Sequence, residues 1–132
     1  MPSVTGVLET SLYVDDLDLT TRFYQQLFGF PVMVGDERIR ALAVCQGQVL
    51  LLFKRGASLV PEQFPTHDGS GPLHLAFSIP ENEYSAWEAR LQQMGVAIEA
   101  TKKWQEGGRS LYFRDPDHHL LELATPGVWP NY

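Results

Sequence analysis

The 132-residue chain has a single cysteine, few basic residues and no long hydrophobic run. Cys45 alone can form neither an internal disulfide nor a thiolate metal cage, and its place in the apolar run ALAVC predicts packing in the core. The chain has 10 lysines and arginines against 16 acidic residues, a net charge of −6. This balance offers no basic surface to nucleic acid or anionic lipid, and runs such as VLLLF have only strand length, which excludes a membrane span.

The amino-terminal sequence MPSVTGVLET lacks the basic region and the apolar run of a signal peptide. It therefore predicts a cytoplasmic protein. A chain of this length is also expected to form one domain with a single sizeable core.

The first half of the chain predicts a strand, a helix and three further strands. Residues 7–14 (VLETSLYV) have the composition of a strand. Leu19, Phe23 and Leu27 then lie four residues apart on one helical face, and Gly29 predicts the helix end. The three later strands are predicted over residues 30–34, 38–45 and 48–54.

The second half repeats this order. Residues 73–79 (LHLAFSI) predict a strand, and Tyr84, Trp87, Leu91 and Met94 fall on one face of the following helix. Three more strands are predicted over residues 97–103, 109–114 and 119–124. Each half is therefore a βαβββ module, and the fold class is α+β.

The two modules cover about residues 1–56 and 72–125. A segment rich in Gly, Pro and Ser, residues 55–72, has the composition of a linker between them, and residues 126–132 form a carboxyl-terminal tail. Neither half alone offers a convincing core, so residues 1–132 are expected to form a single domain.

Aligning the two halves singles out three residues with metal-ligand chemistry. ETSLYV set on HLAFSI pairs Glu9 with His74, and LLFKRG set on ELATPG pairs Leu51 with Glu122. Equivalent positions of an internal repeat should converge, which makes Glu9, His74 and Glu122 a candidate metal site. One imidazole and two carboxylates suit Mn, Fe, Co, Ni or Zn. The alternative is a solvated Glu9 and a core His74 with a backbone hydrogen bond.

The segment SLYFRDPDHHLLEL holds two histidines and a glutamate, yet it predicts a turn rather than a metal site. His119 points away from Glu122 because side chains alternate along a strand, and His118 is roughly 13 Å from Glu122 along an extended chain. DPDHH instead suits a tight turn, with Asp115 as the cap and His118 where glycine would fit most easily.

Three segments, LYVDDLDLTTRFYQQLFGF, GPLHLAFSIP and GGRSLYFRDPDHHLLEL, resemble the vicinal oxygen chelate superfamily over nearly the whole chain. That superfamily contains glyoxalase I, extradiol dioxygenases, fosfomycin-resistance enzymes and metal-free bleomycin-resistance proteins. The resemblance implies two βαβββ modules whose curved mixed sheets surround a central cavity, and frequently a homodimer whose subunits share each site. It also implies metal ligation by Glu9, His74 and Glu122.

Three positions depart from the superfamily's pattern. Glu9 stands where the dioxygenases and fosfomycin enzymes most often have histidine, which weakens the expectation of oxygen activation. Leu51 stands where glyoxalase I would have a glutamate, so its proton-shuttling carboxylate is missing. His118 replaces a glycine of the turn.

GGRSLYF resembles the stretch of fosfomycin-resistance enzymes whose serine and tyrosine hold the phosphonate. The resemblance makes Ser110 and Tyr112 candidate substrate ligands, with Arg109 and Trp104 beside them, and Tyr112 the candidate catalytic residue. The alternative is that this stretch only forms a pair of β-strands, in which the tyrosine is buried and binds no substrate.

The resemblance thus implies a divalent-metal-dependent enzyme that acts on a small substrate with vicinal oxygens. Isomerase or lyase chemistry is expected first, then addition of a thiol or water, then ring cleavage. The alternative is a metal-free small-molecule or antibiotic-binding protein of the bleomycin-resistance type, with which the acidic charge and Trp104 and Trp129 are compatible. A structural dimerisation module is a third hypothesis, with the tail crossing a partner subunit.

Overall fold

The computed structural model of the chain describes residues 1–61 and 64–132. The chain falls into two compact units, Met1–Ser70 and Gly71–Tyr132. The boundary between them lies inside the predicted linker, residues 55–72. In the two described ranges, no helix has the length and apolar character needed to cross a lipid bilayer.

The first unit is a βαβββ module, as predicted. Its elements are β1 (Glu9–Val14), α1 (Leu17–Phe28), β2 (Val32–Gly35), β3 (Ile39–Cys45) and β4 (Gln48–Lys54). The strands form one mixed sheet in the order β1-β4-β3-β2, in which β1 runs parallel to β4 and the other pairs are antiparallel. Helix α1 packs against β3 and β4.

The second unit has the same topology. Its elements are β5 (His74–Ser78), α2 (Tyr84–Gln93), β6 (Ala100–Lys103), β7 (Arg109–Arg114) and β8 (Leu120–Ala124). The strand order is β5-β8-β7-β6, with β5 parallel to β8 and the remaining pairs antiparallel. The predicted fold class, α+β with two βαβββ modules and mixed sheets, is confirmed.

Strand pairing confirms the alignment of the two halves. Glu9 and His74 each begin the strand that runs parallel to the last strand of its unit. Leu51 is paired with Ser11, two residues after Glu9, and Glu122 is paired with Ala76, two residues after His74. Because side chains alternate, Glu9 shares a sheet face with Leu51, and His74 shares one with Glu122.

Helix α1 ends where predicted but buries a different face. Gly29 adopts the left-handed conformation, with φ of 76°, and stops the helix. The predicted stripe of Leu19, Phe23 and Leu27 is wrong in part, since Leu19 is exposed and Tyr24 is fully buried. The buried residues of the helix are Leu17, Thr20, Thr21, Tyr24 and Leu27. These positions also follow the helical period, and turning this face to the sheet buries the large Tyr24 ring.

Two further expectations about buried residues are corrected. Cys45 is exposed, because it is the last residue of β3 and follows a break in the pairing register between β3 and β4. In α2, Tyr84 and Leu91 are buried as predicted, but Met94 lies beyond the end of the helix and is exposed.

The predicted turn at DPDHH is confirmed. Oδ1 of Asp115 accepts hydrogen bonds from the backbone amides of Asp117 and His119, each at 2.9 Å. His118 has φ of 65°, a left-handed conformation that costs a residue with a side chain more than it costs glycine.

Replacing His118 with glycine is therefore expected to raise the free energy of unfolding by about 1 kcal/mol, because glycine adopts this φ without the steric cost. Urea denaturation of the parent and the variant would measure the difference. Asp117→Gly, next in the chain and outside the left-handed region, is the control and should lower stability. A His118→Gly protein no more stable than the parent would contradict the expectation.

Candidate functional site

His74 begins β5, and its imidazole is held in one orientation. Nδ1 lies 2.9 Å from the backbone carbonyl oxygen of Leu120, which can only accept a hydrogen bond, so Nδ1 carries a proton. Nε2 is then the nitrogen that can bind a metal ion, and it lies 3.2 Å from Oε1 of Glu122. The His74 side chain is 51% exposed. The backbone hydrogen bond of the alternative interpretation is present, but His74 is not a core residue.

Glu122 is a buried carboxylate on β8 that a chain of donors holds in place. Its Oε2 accepts a hydrogen bond from the hydroxyl of Ser110 at 2.6 Å. The Ser110 oxygen in turn accepts from the indole Nε1 of Trp104 at 2.9 Å. Since the indole N–H can only donate, the proton of the Ser110 hydroxyl is directed to Glu122. Trp104 and Ser110 therefore orient the carboxylate beside His74.

Tyr112 lies directly opposite Glu122 in the pairing of β7 with β8. Burial, and to a lesser extent the charge of Glu122, raise the pKa of the Tyr112 phenol. A tyrosine phenol is protonated at neutral pH even without this shift. Tyr112 can therefore donate a hydrogen bond to a group bound beside Glu122.

Arg109 lies on the other face of the second sheet. Its guanidinium is stacked on the ring of Tyr84 at 3.9 Å and forms an ion pair with Glu81, with Nη2 at 2.6 Å from Oε1. The alternation of side chains along β7 accounts for this, since Ser110 and Tyr112 point to the face of Glu122. To reach a substrate on that face, Arg109 would have to give up both contacts.

Glu9 is an exposed residue of the first unit, whereas His74 and Glu122 belong to the second. Among the residues described in one chain, no group of three or more His, Cys, Asp or Glu side chains is gathered where it could hold a metal ion. The part of the predicted trio that the structure brings together is the pair of His74 and Glu122.

This pair has the donor chemistry of a divalent first-row metal site. It combines an imidazole nitrogen with a carboxylate, the ligands that such ions prefer. Each ligand is also oriented by a second partner, the Leu120 carbonyl for His74 and the Ser110 hydroxyl for Glu122. Such outer partners are typical of metal ligands in proteins. The residues present therefore fit a divalent ion.

The first unit contains a cavity of about 610 Å³ on the sheet face that carries Glu9. Leu51 and Phe53 of β4 and Ile39 of β3 form its apolar floor, and linker residues form its other side. Those linker residues include Val60, Phe64, Pro65 and His67. The opposite face of the sheet is the buried one, with Leu50 and Leu52 almost without solvent exposure.

The end of the linker is anchored over this face. A hydrogen bond of 2.8 Å joins the Tyr13 hydroxyl and Nδ1 of His67, and the His67 ring meets the Phe53 ring edge to face at 4.6 Å. Gly69 lies against the Tyr13 ring so closely that a Cβ would be 2.4 Å from a ring carbon. Arg55 donates to the carbonyl oxygen of Gly69 at 2.7 Å. The side of the cavity near Phe53 is therefore built into the fold.

Comparison with known proteins identifies the family. The family model described as Glyoxalase/Bleomycin resistance protein/Dioxygenase superfamily matches residues 6–123, which span both modules up to the last residue but one of β8. The chain belongs to this superfamily. The predicted superfamily is thereby confirmed.

Relatives within the superfamily include enzymes of two kinds. The chain is 30% identical to the metallothiol transferase FosB of Bacillus licheniformis over 127 residues, 96% of this chain and 79% of the relative. The crystal structure of lactoylglutathione lyase from Agrobacterium tumefaciens has a TM-score of 0.92 at 28% identity, over 98% of this chain and 99% of that one. A mutant of the fosfomycin resistance protein FosX of Listeria monocytogenes, complexed with Mn(II) and 1S,2S-dihydroxypropylphosphonic acid, has a TM-score of 0.68 at 29% identity, over 92% and 90%.

Sequence reasoning found the residues around Glu122 but missed two features. It did not foresee that Trp104 acts on Glu122 through Ser110, because that contact depends on where the loop before β7 returns to the sheet. It also missed the cavity of the first unit. The sequence does contain one signal for the cavity, because β4 (QVLLLFK) is apolar on both of its faces. Leu50 and Leu52 on one face belong to the core, and Leu51 and Phe53 lie on the other face.

Proposed function

We propose that the protein is a divalent-metal-dependent enzyme of the glyoxalase superfamily that adds a thiol or water to a small substrate with adjacent oxygen atoms. The observation that carries the proposal is the oriented pair of His74 and Glu122, with Tyr112 directly beside Glu122. In this pair, Nε2 of His74 faces Oε1 of Glu122. Each side chain is also held by a second hydrogen-bond partner, the Leu120 carbonyl for His74 and the Ser110 hydroxyl for Glu122.

The relatives support thiol or water addition ahead of isomerisation. FosB is a metallothiol transferase, and the FosX complex contains Mn(II) and a dihydroxypropylphosphonic acid. An isomerase also needs a base that moves a proton between two carbon atoms. At the position equivalent to Glu122 the first unit has Leu51, which cannot take up a proton. Isomerase or lyase chemistry, which the lactoylglutathione lyase neighbour favours, is the second choice.

In the proposed site, His74 through Nε2, Glu122 and Glu9 would hold the ion. When bound, a divalent ion of this class polarises substrate oxygens and lowers the pKa of a bound water. Ser110, which is fully buried and held by Trp104, keeps the Glu122 carboxylate in position. Tyr112 is the proposed catalytic residue, because its protonated hydroxyl can donate to the substrate oxygen on which negative charge develops.

The proposed active form is a cytoplasmic homodimer. The free, exposed thiol of Cys45 suits a reducing compartment. In a homodimer, Glu9 could meet His74 and Glu122 of the same chain or of the partner chain. A mixing experiment described below separates these arrangements.

The direct test is metal content. Untagged protein is first stripped of metal with a chelator, and the chelator is removed. It should then bind about one ion per chain from Mn, Fe, Co, Ni or Zn, as measured by mass spectrometry and calorimetry. Glu9→Gln is expected to weaken metal affinity at least about tenfold, because it removes one charged ligand. Glu37→Gln, another exposed carboxylate of the first unit, is the control and should bind like the parent. Equal affinity of Glu9→Gln and parent would exclude Glu9 from the site.

Mixing two defective chains tests whether the site is shared. If Glu9 of one chain completes the site of its partner, a heterodimer of Glu9→Gln and Glu122→Gln contains one intact site. Unfolding and refolding the two variants together should then restore about one ion per heterodimer. If each site lies within one chain, every site in the mixture is defective and no metal is regained.

The apolar cavity of the first unit favours a second candidate function, a metal-free small-molecule binding protein of the same superfamily. This candidate would be preferred if the parent protein bound none of the five metals.

A further inference from the structure

We infer that the substrate carries an apolar, ring-bearing body that occupies the cavity of the first unit, with its oxygen-bearing head at Glu9. The substrate class is then an amphipathic molecule rather than a compact three-carbon phosphonate. This inference rests on the proposed function in one respect, since it takes Glu9 to be part of the metal site. Binding of the body itself does not require the ion.

The size of the cavity supports a larger substrate. Pockets for molecules of drug size measure about 300–1,000 Å³ and bury most of the ligand surface. The cavity has a volume of about 610 Å³, so a three-carbon compound would leave most of it to water against an apolar floor. Filling that space with an apolar group removes this water from Leu51, Phe53 and Ile39, which is the favourable term in ligand binding.

The arrangement of the walls gives the ligand a direction. Glu9 lies at the start of β1, and the neighbouring strand β4 presents Leu51 opposite Ser11 and Phe53 opposite Tyr13. Glu9 is thus separated from the level of Phe53 by four residues, or about 13 Å along the strands. A molecule that fills the cavity has the Glu9 carboxylate at one end. At the other end it has the rings of Phe53 and His67, with Asp36 and Arg38 beside them. The rings make that end the place for the ring of the ligand, which leaves its polar group near Glu9.

The aromatic end is suited to a ring. Phe53 and the edge-on ring of His67 stand at this end, and the cavity is also lined by Phe64 of the linker. Aromatic groups pack favourably edge to face or offset against one another. The hydrogen bond between Tyr13 and His67 fixes this wall before any ligand arrives, so binding does not require the wall to be ordered.

The second carboxylate of the cavity is committed to its own turn. Oδ1 of Asp36 accepts hydrogen bonds from the backbone amides of Arg38 and Ile39, at 2.7 and 3.1 Å. These bonds hold Asp36 in the turn that leads into β3. Glu9 is accordingly the carboxylate to which we assign the head of the ligand.

A neutral aromatic fluorophore, N-phenyl-1-naphthylamine, tests the cavity directly. The full chain, in buffer with a chelator, should bind it saturably with a rise in fluorescence. Leu51→Trp places an indole in the floor and should weaken binding by about tenfold or more, because it fills part of the space for the apolar body. Val34→Trp adds the same side chain at an exposed position of β2 outside the cavity and should bind like the parent.

Failure to bind the fluorophore, or equal binding by parent and Leu51→Trp, would overturn the inference. Circular dichroism checks that the variant is folded. If Leu51→Trp does not fold, the binding of the fluorophore by Phe64→Ala decides the matter. Phe64 is exposed, so this substitution removes one ring from the wall and leaves the core unchanged. Weaker binding by Phe64→Ala supports the inference, and unchanged binding overturns it.

The same preparations separate this inference from the proposed function. Metal content is measured on chelator-free samples of the same preparations, for the parent and for His74→Ala. A parent that holds metal but does not bind the fluorophore refutes the apolar substrate body alone. A parent that binds the fluorophore but no metal refutes the enzyme proposal and leaves an apolar ligand site.

Discussion

Glu122→Gln is expected to lower metal affinity by more than about a hundredfold, since loss of an outer partner alone typically costs 10–100-fold. The substitution keeps the size of the side chain but removes the negative charge beside Nε2 of His74. Isothermal titration calorimetry with Mn or Zn would measure the affinity. Glu99→Gln is the matched control, because Glu99 is an exposed carboxylate of the same unit whose ion pair is with Arg114.

Ser110→Ala gives a graded version of the same test. Without the hydroxyl, Oε2 of Glu122 loses its hydrogen bond and the indole of Trp104 loses its acceptor. Metal affinity should fall by about tenfold, less than for Glu122→Gln. If Glu122→Gln bound metal as tightly as the parent, the ion would have to be held elsewhere and the proposed centre would be wrong.

His119→Ala is expected to lower the free energy of unfolding by about 2–4 kcal/mol, through the cavity it leaves and the unpaired donor it creates. The His119 side chain is fully buried, and its Nδ1 accepts a hydrogen bond from the backbone amide of Leu73 at 2.8 Å. Urea denaturation at constant pH would measure the change. His118→Ala, the exposed neighbour, should change stability by less than about 0.5 kcal/mol.

Substitutions of His119 and of His74 should therefore affect different properties. The first should lower stability, and the second should lower metal binding. Folded His119→Ala protein is expected to keep its metal, because its ring lies on the face away from Glu122. His74→Ala is expected to lose metal with little loss of stability, because its ring is half exposed. Loss of metal from folded His119→Ala, with His74→Ala unaffected, would reverse the assignment of the site.

Much of the fold was predictable because its signals are local. Alternation of side chains indicated the strands, Gly29 marked the end of α1, and Asp115 and His118 indicated the turn before β8. The repeat then matched Glu9 with His74 through strand order alone. Such patterns depend on neighbours within a few residues, so a single sequence carries them.

The superfamily also followed from the sequence, since its motifs are continuous segments at the strands and the final hairpin. Alternation correctly placed Ser110 and Tyr112 on one face of β7 and Arg109 on the other. Metal ligation by Glu9, His74 and Glu122 remains a prediction, for which the 3.2 Å approach of His74 to Glu122 gives support.

Only the tertiary structure decided which faces are buried and which partners meet. It turned Tyr24 rather than Phe23 to the core, left Cys45 exposed and brought Trp104 to Ser110. It also brought the end of the linker back to the first sheet, where His67 meets Tyr13, 54 residues earlier in the chain. These outcomes depend on packing between segments that are distant in sequence. The local sequence pattern therefore determined the helices and strands, and long-range packing determined which side chains meet at the site.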